Sequence, residues 1–280
     1  MKTSAILAAV LAATPLCSLS AQGSPDLEMW RLDCGSLAVS DLAPFSDTHL
    51  YDGVQSELVV SCYLIRNGDD YLLWDAGLST ALLDGPVTSG VFTASMKRSI
   101  VDQLAELEIS ASAIDYVGVS HYHFDHTSQL SDFAGSTLLI GTGDWNVVKA
   151  TKEPNPLVDP RPFAPWLGTE ASKVVSITRD HDVFGDGSVQ IVAMPGHTPG
   201  HSSLVVKLPT SGTFMLTGDL YHFVEQIENK GVPEFNVDRA DTLASFHRFD
   251  QMAENLGATV VIQHDGRHLG LLPAFPESAK

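Results

Sequence analysis

The sequence predicts an α/β domain in which two β-sheets pack face to face and helices cover the outer faces. Three observations carry this expectation. Strand-like runs recur in both halves of the chain, each half adds a run with helical spacing, and the most reactive side chains stand where strands give way to loops. Elements that are apolar on one face need a partner layer, and two sheets with helices outside give every one of them a partner.

The N-terminus stands apart from that domain. Lys2 supplies a positive start, Ala5 to Leu19 is apolar and small, and Ser18-Leu19-Ser20-Ala21 leads into polar Gln22-Gly23-Ser24-Pro25. Such a pattern reads as a secretory signal peptide over 1–21, ahead of a single domain over 22–280 and a periplasmic or secreted destination. The run is too short for ~30 Å of hydrocarbon, so stable membrane insertion is not expected. Cys17 raises a lipoprotein alternative, against which Thr14-Pro15-Leu16 lacks the small residues such processing prefers.

Trp30 to Asp75 carries strand-like runs, chiefly Leu58 to Ile65 and Tyr71 to Trp74, and Asn67-Gly68-Asp69-Asp70 between those two is a hairpin signal. Gly77 to Ser95 is rich in Gly, Ser and Thr and reads as a long loop. Met96 to Leu107 sets Ile100, Leu104 and Leu107 at helical spacing. Ile114 to Val119 and Ser136 to Ile140 are strands. Five prolines between Glu153 and Leu167 predict an extended surface loop, because proline removes backbone donors and blocks helix. In the second half, Val189 to Met194, Ser203 to Leu208, Thr213 to Leu216 and Ala258 to Ile262 are strands. Thr242 to Leu256 is a helix burying Leu243, Phe246, Met252 and Leu256, with Gly257 as its stop.

The charge balance excludes one class of partner. Lys and Arg number 16 against 34 Asp and Glu, a formal −18, and such a surface repels nucleic acid. Beyond Cys17 only Cys34 and Cys62 remain, either as a disulfide, which an oxidising compartment permits, or as two buried thiols. The sequence does not speak to oligomeric state.

The chemistry concentrates in His121-Tyr122-His123-Phe124-Asp125-His126, directly after a strand. Three imidazoles and a carboxylate within six residues suit a divalent cation such as zinc better than they suit packing. With extended backbone, His121 and His123 share a side and grip one ion, while Asp125 and His126 reach a second. His197 in Met194-Pro195-Gly196-His197-Thr198-Pro199-Gly200-His201, Asp219 after Leu216-Thr217-Gly218, and His264 after Val261-Ile262-Gln263 each follow a strand, where rigid scaffolds present functional groups.

These residues resemble the metallo-β-lactamase superfamily through HYHFDH, GHTPGHSS, TGD and the late histidine of VVIQHD, with Leu73-Trp74-Asp75-Ala76-Gly77 similar to an early aspartate motif. The resemblance implies an αββα sandwich and two Zn2+ ions, other divalent metals fitting the same donors. Residue by residue it implies His121, His123 and His197 at a first metal, Asp125, His126 and His264 at a second, and Asp219 bridging both. It gives Asp75 the task of orienting the histidine loop and His201 a supporting one.

Within the superfamily the chain is most similar to N-acyl homoserine lactonases, on Leu32-Asp33-Cys34-Gly35-Ser36-Leu37 and GHTPGHSS, which implies a small acyl lactone as substrate. Those enzymes often carry a tyrosine three residues after the bridging aspartate, where this chain has His222 preceded by Tyr221. Tyr221 or His222 is therefore expected to assist the carbonyl, with Asp219 carrying a proton to the leaving alkoxide. Phe92, Phe163, Trp166 and Phe223 are candidates to meet an acyl chain. The rival readings are another hydrolase of the same fold, acting on organophosphates or thioesters, and an iron-dependent sulfur oxygenase. A β-lactamase would want a cysteine at a metal position, a thioesterase a basic patch, and a one-iron oxygenase would need Asp125, His126 and His264 less.

Overall fold

A computed structural model describes residues 26–155, 157–168 and 173–280; the signal-peptide reading lies outside the described residues. The first half begins with the long hairpin β1 (Leu27–Val39) and β2 (Ser56–Asn67), and β3 (Asp70–Trp74) follows across the turn at Gly68-Asp69. Then come β4 (Val87–Ser89), β5 (Phe92–Ser95), α1 (Ile100–Glu106), β6 (Tyr116–Gly118), α2 (Phe124–Thr127) and β7 (Thr137–Gly141). This half closes with α3 (Thr142–Ala150), α4 (Ala164–Leu167) and β8 (Val174–Ile177). The second half holds β9 (His181–Asp182), β10 (Val189–Ala193), β11 (Ser202–Leu208), β12 (Gly212–Leu216), α5 (Glu225–Asn229), α6 (Arg239–Leu256) and β13 (Thr259–Val261).

Eight strands form one sheet in the order β4-β5-β1-β2-β3-β6-β7-β8, and five form the other, β13-β12-β11-β10-β9. Side chains alternate across a strand, and here the alternation sorts three cores. Tyr63, Ile65, Leu72 and Trp74 face Val189, Ile191, Leu204, Val206 and Leu216 between the sheets. Their neighbours Leu58, Val60, Cys62, Leu64 and Leu73 point the other way, onto Ile100 and Leu104 of α1 and Val148 of α3. On the far side Val192, Val205 and Met215 meet Phe246 and Phe249 of α6. Three apolar interfaces between four layers make the αββα sandwich.

Three local expectations need correction. Gly77 to Ser95 is not one loop: Val87–Ser89 and Phe92–Ser95 pair as a hairpin around Gly90, whose φ of 59° suits a glycine, and β5 extends the sheet beside β1. The proline-rich stretch is not wholly extended and exposed. Pro162 and Pro165 stand in the first turns of short helices, where no backbone donor is required, and Phe163 and Trp166 are buried between them. In α6 the buried stripe runs through Phe246 and Phe249, while Leu256 is exposed beside the left-handed Gly257 cap.

Cys34 and Cys62 form a disulfide across β1 and β2, closing a span of 28 residues, with both side chains buried. The irregular register between Asp33 and Ser36 sets Cys34 toward Cys62. Among the described residues, no helix is long and apolar enough to cross a membrane.

Candidate metal centre

Each expected ligand stands on the stretch of chain that leaves a strand, on the same edge of the sandwich. β6 runs into His121 and His123, and α2 turns Asp125 and His126 back toward them. The turn after β10 carries His197, the turn after β12 carries Asp219, and the chain leaving β13 carries His264. The structure brings all seven together, in two groups: His121, His123, His197 and Asp219, and Asp125, His126 and His264, the donor atoms within each lying within 4.8 Å of one another.

The distances describe two donor sets shaped for cations. His121 Nε2, His123 Nδ1 and His197 Nε2 lie 3.0 to 3.1 Å apart. A tetrahedral zinc with bonds of ~2.0–2.1 Å asks for donors roughly 3.3 Å apart, so the spacing fits. Asp219 presents one oxygen to each group: Oδ1 is 3.0 Å from both His126 Nε2 and His264 Nε2, and Oδ2 is 3.6 Å from His121 Nε2 and 3.4 Å from His197 Nε2. Asp125 Oδ2 lies 3.7 Å from His126 Nε2 and 3.6 Å from His264 Nε2.

The outward ring nitrogens fix which way the lone pairs point. His197 Nδ1–H donates to Asn236 Oδ1 at 2.8 Å, and His264 Nδ1–H to the Val59 carbonyl at 2.8 Å. His126 Nδ1 meets Asp75 Oδ2 at 3.0 Å. In the neutral ring each bond turns the Nε2 lone pair toward the centre, as a metal ligand requires. Asp75 also accepts from the Ser120 backbone at 2.7 Å and from the Gln263 amide at 2.9 Å, so it anchors the histidine loop as expected. His201 stays outside both groups: its Nδ1–H donates to the Met194 carbonyl at 2.9 Å and its Nε2 accepts from the Asp219 backbone at 3.0 Å.

Electrostatics point the same way. Burial, reinforced by neighbouring imidazoles, holds His121 and His197 well below the ordinary histidine range, and burial takes His123 down to about 4. These three rings are therefore neutral donors. Burial opposes charge on His126 and His264 too, but the carboxylates of Asp219 and Asp125 outweigh it and raise both. Asp219, despite burial, is held well below the usual carboxylate range by His126, His264 and His121. Buried anions that draw protons onto adjacent rings would draw a divalent cation more strongly.

Tyr221 is corrected. Its ring stacks on Phe246 beneath the small sheet, and its hydroxyl bonds Asp250 Oδ1 at 3.0 Å and accepts from Lys230 Nζ at 2.7 Å, away from the centre. The strand-like backbone there turns alternate side chains to opposite sides, so His222 takes the inward place, with Nε2 3.2 Å from Asp219 Oδ2. Its Nδ1 is buried without a partner among the described residues, which puts the proton on Nε2.

A cavity of about 540 Å3 opens over both groups, lined by His123, Asp125, Asp219, His222 and His264 at its floor and by apolar side chains above. Phe92 lines it, as expected, together with Phe45 and Phe235, which sequence reasoning missed. Phe163 and Trp166 lie in the core instead, Trp166 donating to the Ser136 carbonyl at 3.1 Å, and Phe223 lines a neighbouring cavity. Ser120, Asn236 and Gln263 were missed as well; nothing in their spacing marks a residue that acts by holding another.

The family model of the metallo-β-lactamase superfamily matches residues 56–264, a span that takes in every one of these ligands. The chain belongs to the metallo-β-lactamase superfamily. Among members of that superfamily, it is similar to an N-acyl homoserine lactonase AttM of Rhizobium johnstonii, 29% identical over 81% of this chain and 89% of that one. A second N-acyl homoserine lactonase AttM, from Azorhizobium caulinodans, is 28% identical over 86% of this chain and 94% of its own. In fold it matches a Bacillus thuringiensis AiiA variant with N-decanoyl-L-homoserine bound at its active site (TM-score 0.76, 23% identity, 90% and 98% of the two chains). It also matches AidC, a dizinc quorum-quenching lactonase (TM-score 0.66, 16% identity, 90% of each chain).

Proposed function

We propose that this superfamily member is a dinuclear zinc hydrolase that opens the lactone ring of N-acyl homoserine lactones and so quenches quorum-sensing signals. One observation carries the reading: two donor groups share Asp219 at the floor of a largely apolar cavity that, among the described residues, has no Lys or Arg in its lining. A single-iron oxygenase gives no reason for Asp125, His126 and His264 to gather, and an anionic thioester would want a basic wall. The similarity to lactonases named for acyl homoserine lactones, over most of both chains, supports the substrate class.

Bound in these groups, two divalent cations supply a nucleophile from water near neutral pH and Lewis acidity toward the carbonyl. The protein's own residues do the rest. The apolar wall of Phe45, Phe92 and Phe235 receives the acyl chain and excludes water, in a volume within the ~300–1,000 Å3 of small-molecule sites. His222 presents Nε2 at the cavity floor, 3.2 Å from Asp219 Oδ2, where its N–H would donate to an oxyanion formed beside that carboxylate. Asp219 is held ionised by its collar of histidines, which suits a bridging ligand. Asp125, the other carboxylate of the cavity floor, is the residue we assign to pass a proton to the leaving alkoxide.

The Cys34–Cys62 disulfide and the apolar N-terminus together support a periplasmic or secreted site of action. The test of function is one panel: metal content of purified protein, then hydrolysis of acyl homoserine lactones against β-lactams, thioesters and phosphotriesters. Two zinc per chain with lactones turned over fastest is the expected result. One iron per chain, or a preference for phosphotriesters, would overturn it.

A further inference from the structure

One buried carboxylate outside the ligand set lies against the backbone segments that carry the histidines of the first donor group. Asp144, in the first turn of α3, has no exposed surface, and among the described residues no Lys or Arg side chain pairs with it. It accepts from Thr198 Oγ1 at 2.8 Å and from the Gly200 backbone at 2.6 Å, both in the turn between His197 and His201. The backbone of Tyr122, the residue between His121 and His123, also faces the carboxyl and favours its ionised form.

The backbones around it meet without room for side chains. A Cβ on Gly141 would sit 1.9 Å from the Gly200 carbonyl oxygen, and one on Gly143 would sit 2.4 Å from the Pro199 carbonyl oxygen. On the other side, a Cβ on Gly200 would come within 2.5 Å of the Asp144 nitrogen. Glycines at 141, 143 and 200 thus let the start of α3 lie directly on the His197 turn, and Asp144 occupies the seam. Burial pushes its carboxyl up to about 7, while the Thr198, Gly200 and Tyr122 donors favour the ionised form. A buried carboxyl is costly to keep unless its hydrogen bonds are useful.

We infer that Asp144 is a positioning residue that locks the His121–His123 segment and the His197 turn in register, and thereby sets cation affinity at the first metal position. The inference rests on the dinuclear reading above. Among the described residues Asp144 makes no hydrogen bond to Asp125, His126 or His264, so its direct contacts serve one of the two positions. Removing a group that orients a ligand typically costs ~10–100-fold in metal affinity.

The test is titration of metal-stripped protein with Zn2+ against a chromophoric chelator, repeated with Co2+ to read the ligand-field spectrum of each position. Asp144→Asn is expected to weaken one position 10- to 100-fold and leave the other within about threefold. Its Co2+ spectrum should change for the weakened position alone. Thr198→Val, which removes one bond and keeps the carboxylate, should give a smaller loss at that same position, and it stands in if Asp144→Asn fails to fold. Leu104→Ala, a core change in α1, is the control for lost stability and should move neither affinity selectively. Parental affinities at both positions in the Asp144 and Thr198 variants, or equal weakening of both positions as in the control, would overturn the clamp. Parental protein that binds only one ion would instead overturn the dinuclear reading.

Discussion

At the residue scale, Asp219 and His222 carry different burdens, and substitution separates them. Asp219→Asn keeps the shape of the side chain but removes the charge shared by two donor groups, so the fold should persist while turnover is lost. Near-normal activity would remove the bridging role. His222→Phe fills the same aromatic contacts with Phe45 and Phe235 and deletes one donor, so kcat should fall about 100- to 1,000-fold, as for an oxyanion donor. Tyr221→Phe should leave kcat within about threefold and cost roughly 1 kcal/mol of stability, since it removes only the bonds to Asp250 and Lys230; a large kcat loss would contradict the assignment. Asp144 adds a pH effect. Because its folded carboxyl titrates near 7 and an unfolded one near 4, the folded protein holds a proton the unfolded chain has released in that window. Its contribution to stability therefore falls as pH rises from about 4 to 7. Denaturant melts of metal-free protein should show a shallower decline over that window for Asp144→Asn than for the parent. The seven candidate ligands were legible because clustered His and Asp have few uses besides metal. Gln263, Asn236 and Asp144 were not, because a residue that orients another has no composition or spacing of its own.

At the element scale, strands declared themselves by alternation, and helices by period and caps. Ser99 caps α1 with Asp102 in a reciprocal pair, and Gly257 ends α6 in a left-handed turn. The hairpin of β4 and β5 escaped because its side chains are only partly covered, so its strands carry no apolar alternation. The proline-rich stretch escaped because Phe163 and Trp166 draw it onto the core, a tertiary demand that local propensity does not record. The order of Tyr221 and His222 is an element-scale matter too: one step along an extended backbone exchanges cavity for core. Cys34 and Cys62 join the two longest strands around 28 residues of chain, including the Phe45 segment that walls the cavity. Closing a loop of that length is worth about 3–4 kcal/mol on chain-entropy grounds. Urea melts with and without reductant should differ by roughly that amount; coincident melts would mean the bridge adds nothing.

At the scale of the whole molecule, two sheets deliver ligands from both halves of the chain to one edge. His121, His123, Asp125 and His126 come from the larger sheet, and His197, Asp219 and His264 from the smaller. The αββα arrangement was legible because elements of both kinds recur in both halves, whereas the strand order of the sheets was not, since pairing across long separations leaves no local trace. Cations bound across the two halves should couple the sheets. Exhaustive chelation should lower the thermal midpoint, and zinc should restore it with the logarithm of its free concentration. The most direct test is anomalous diffraction at the zinc edge from crystals grown with the metal. Two adjacent peaks are predicted, one among His121, His123 and His197, the other among Asp125, His126 and His264, with Asp219 between them. A single peak, or zinc bound elsewhere while these seven side chains hold none, would contradict the account.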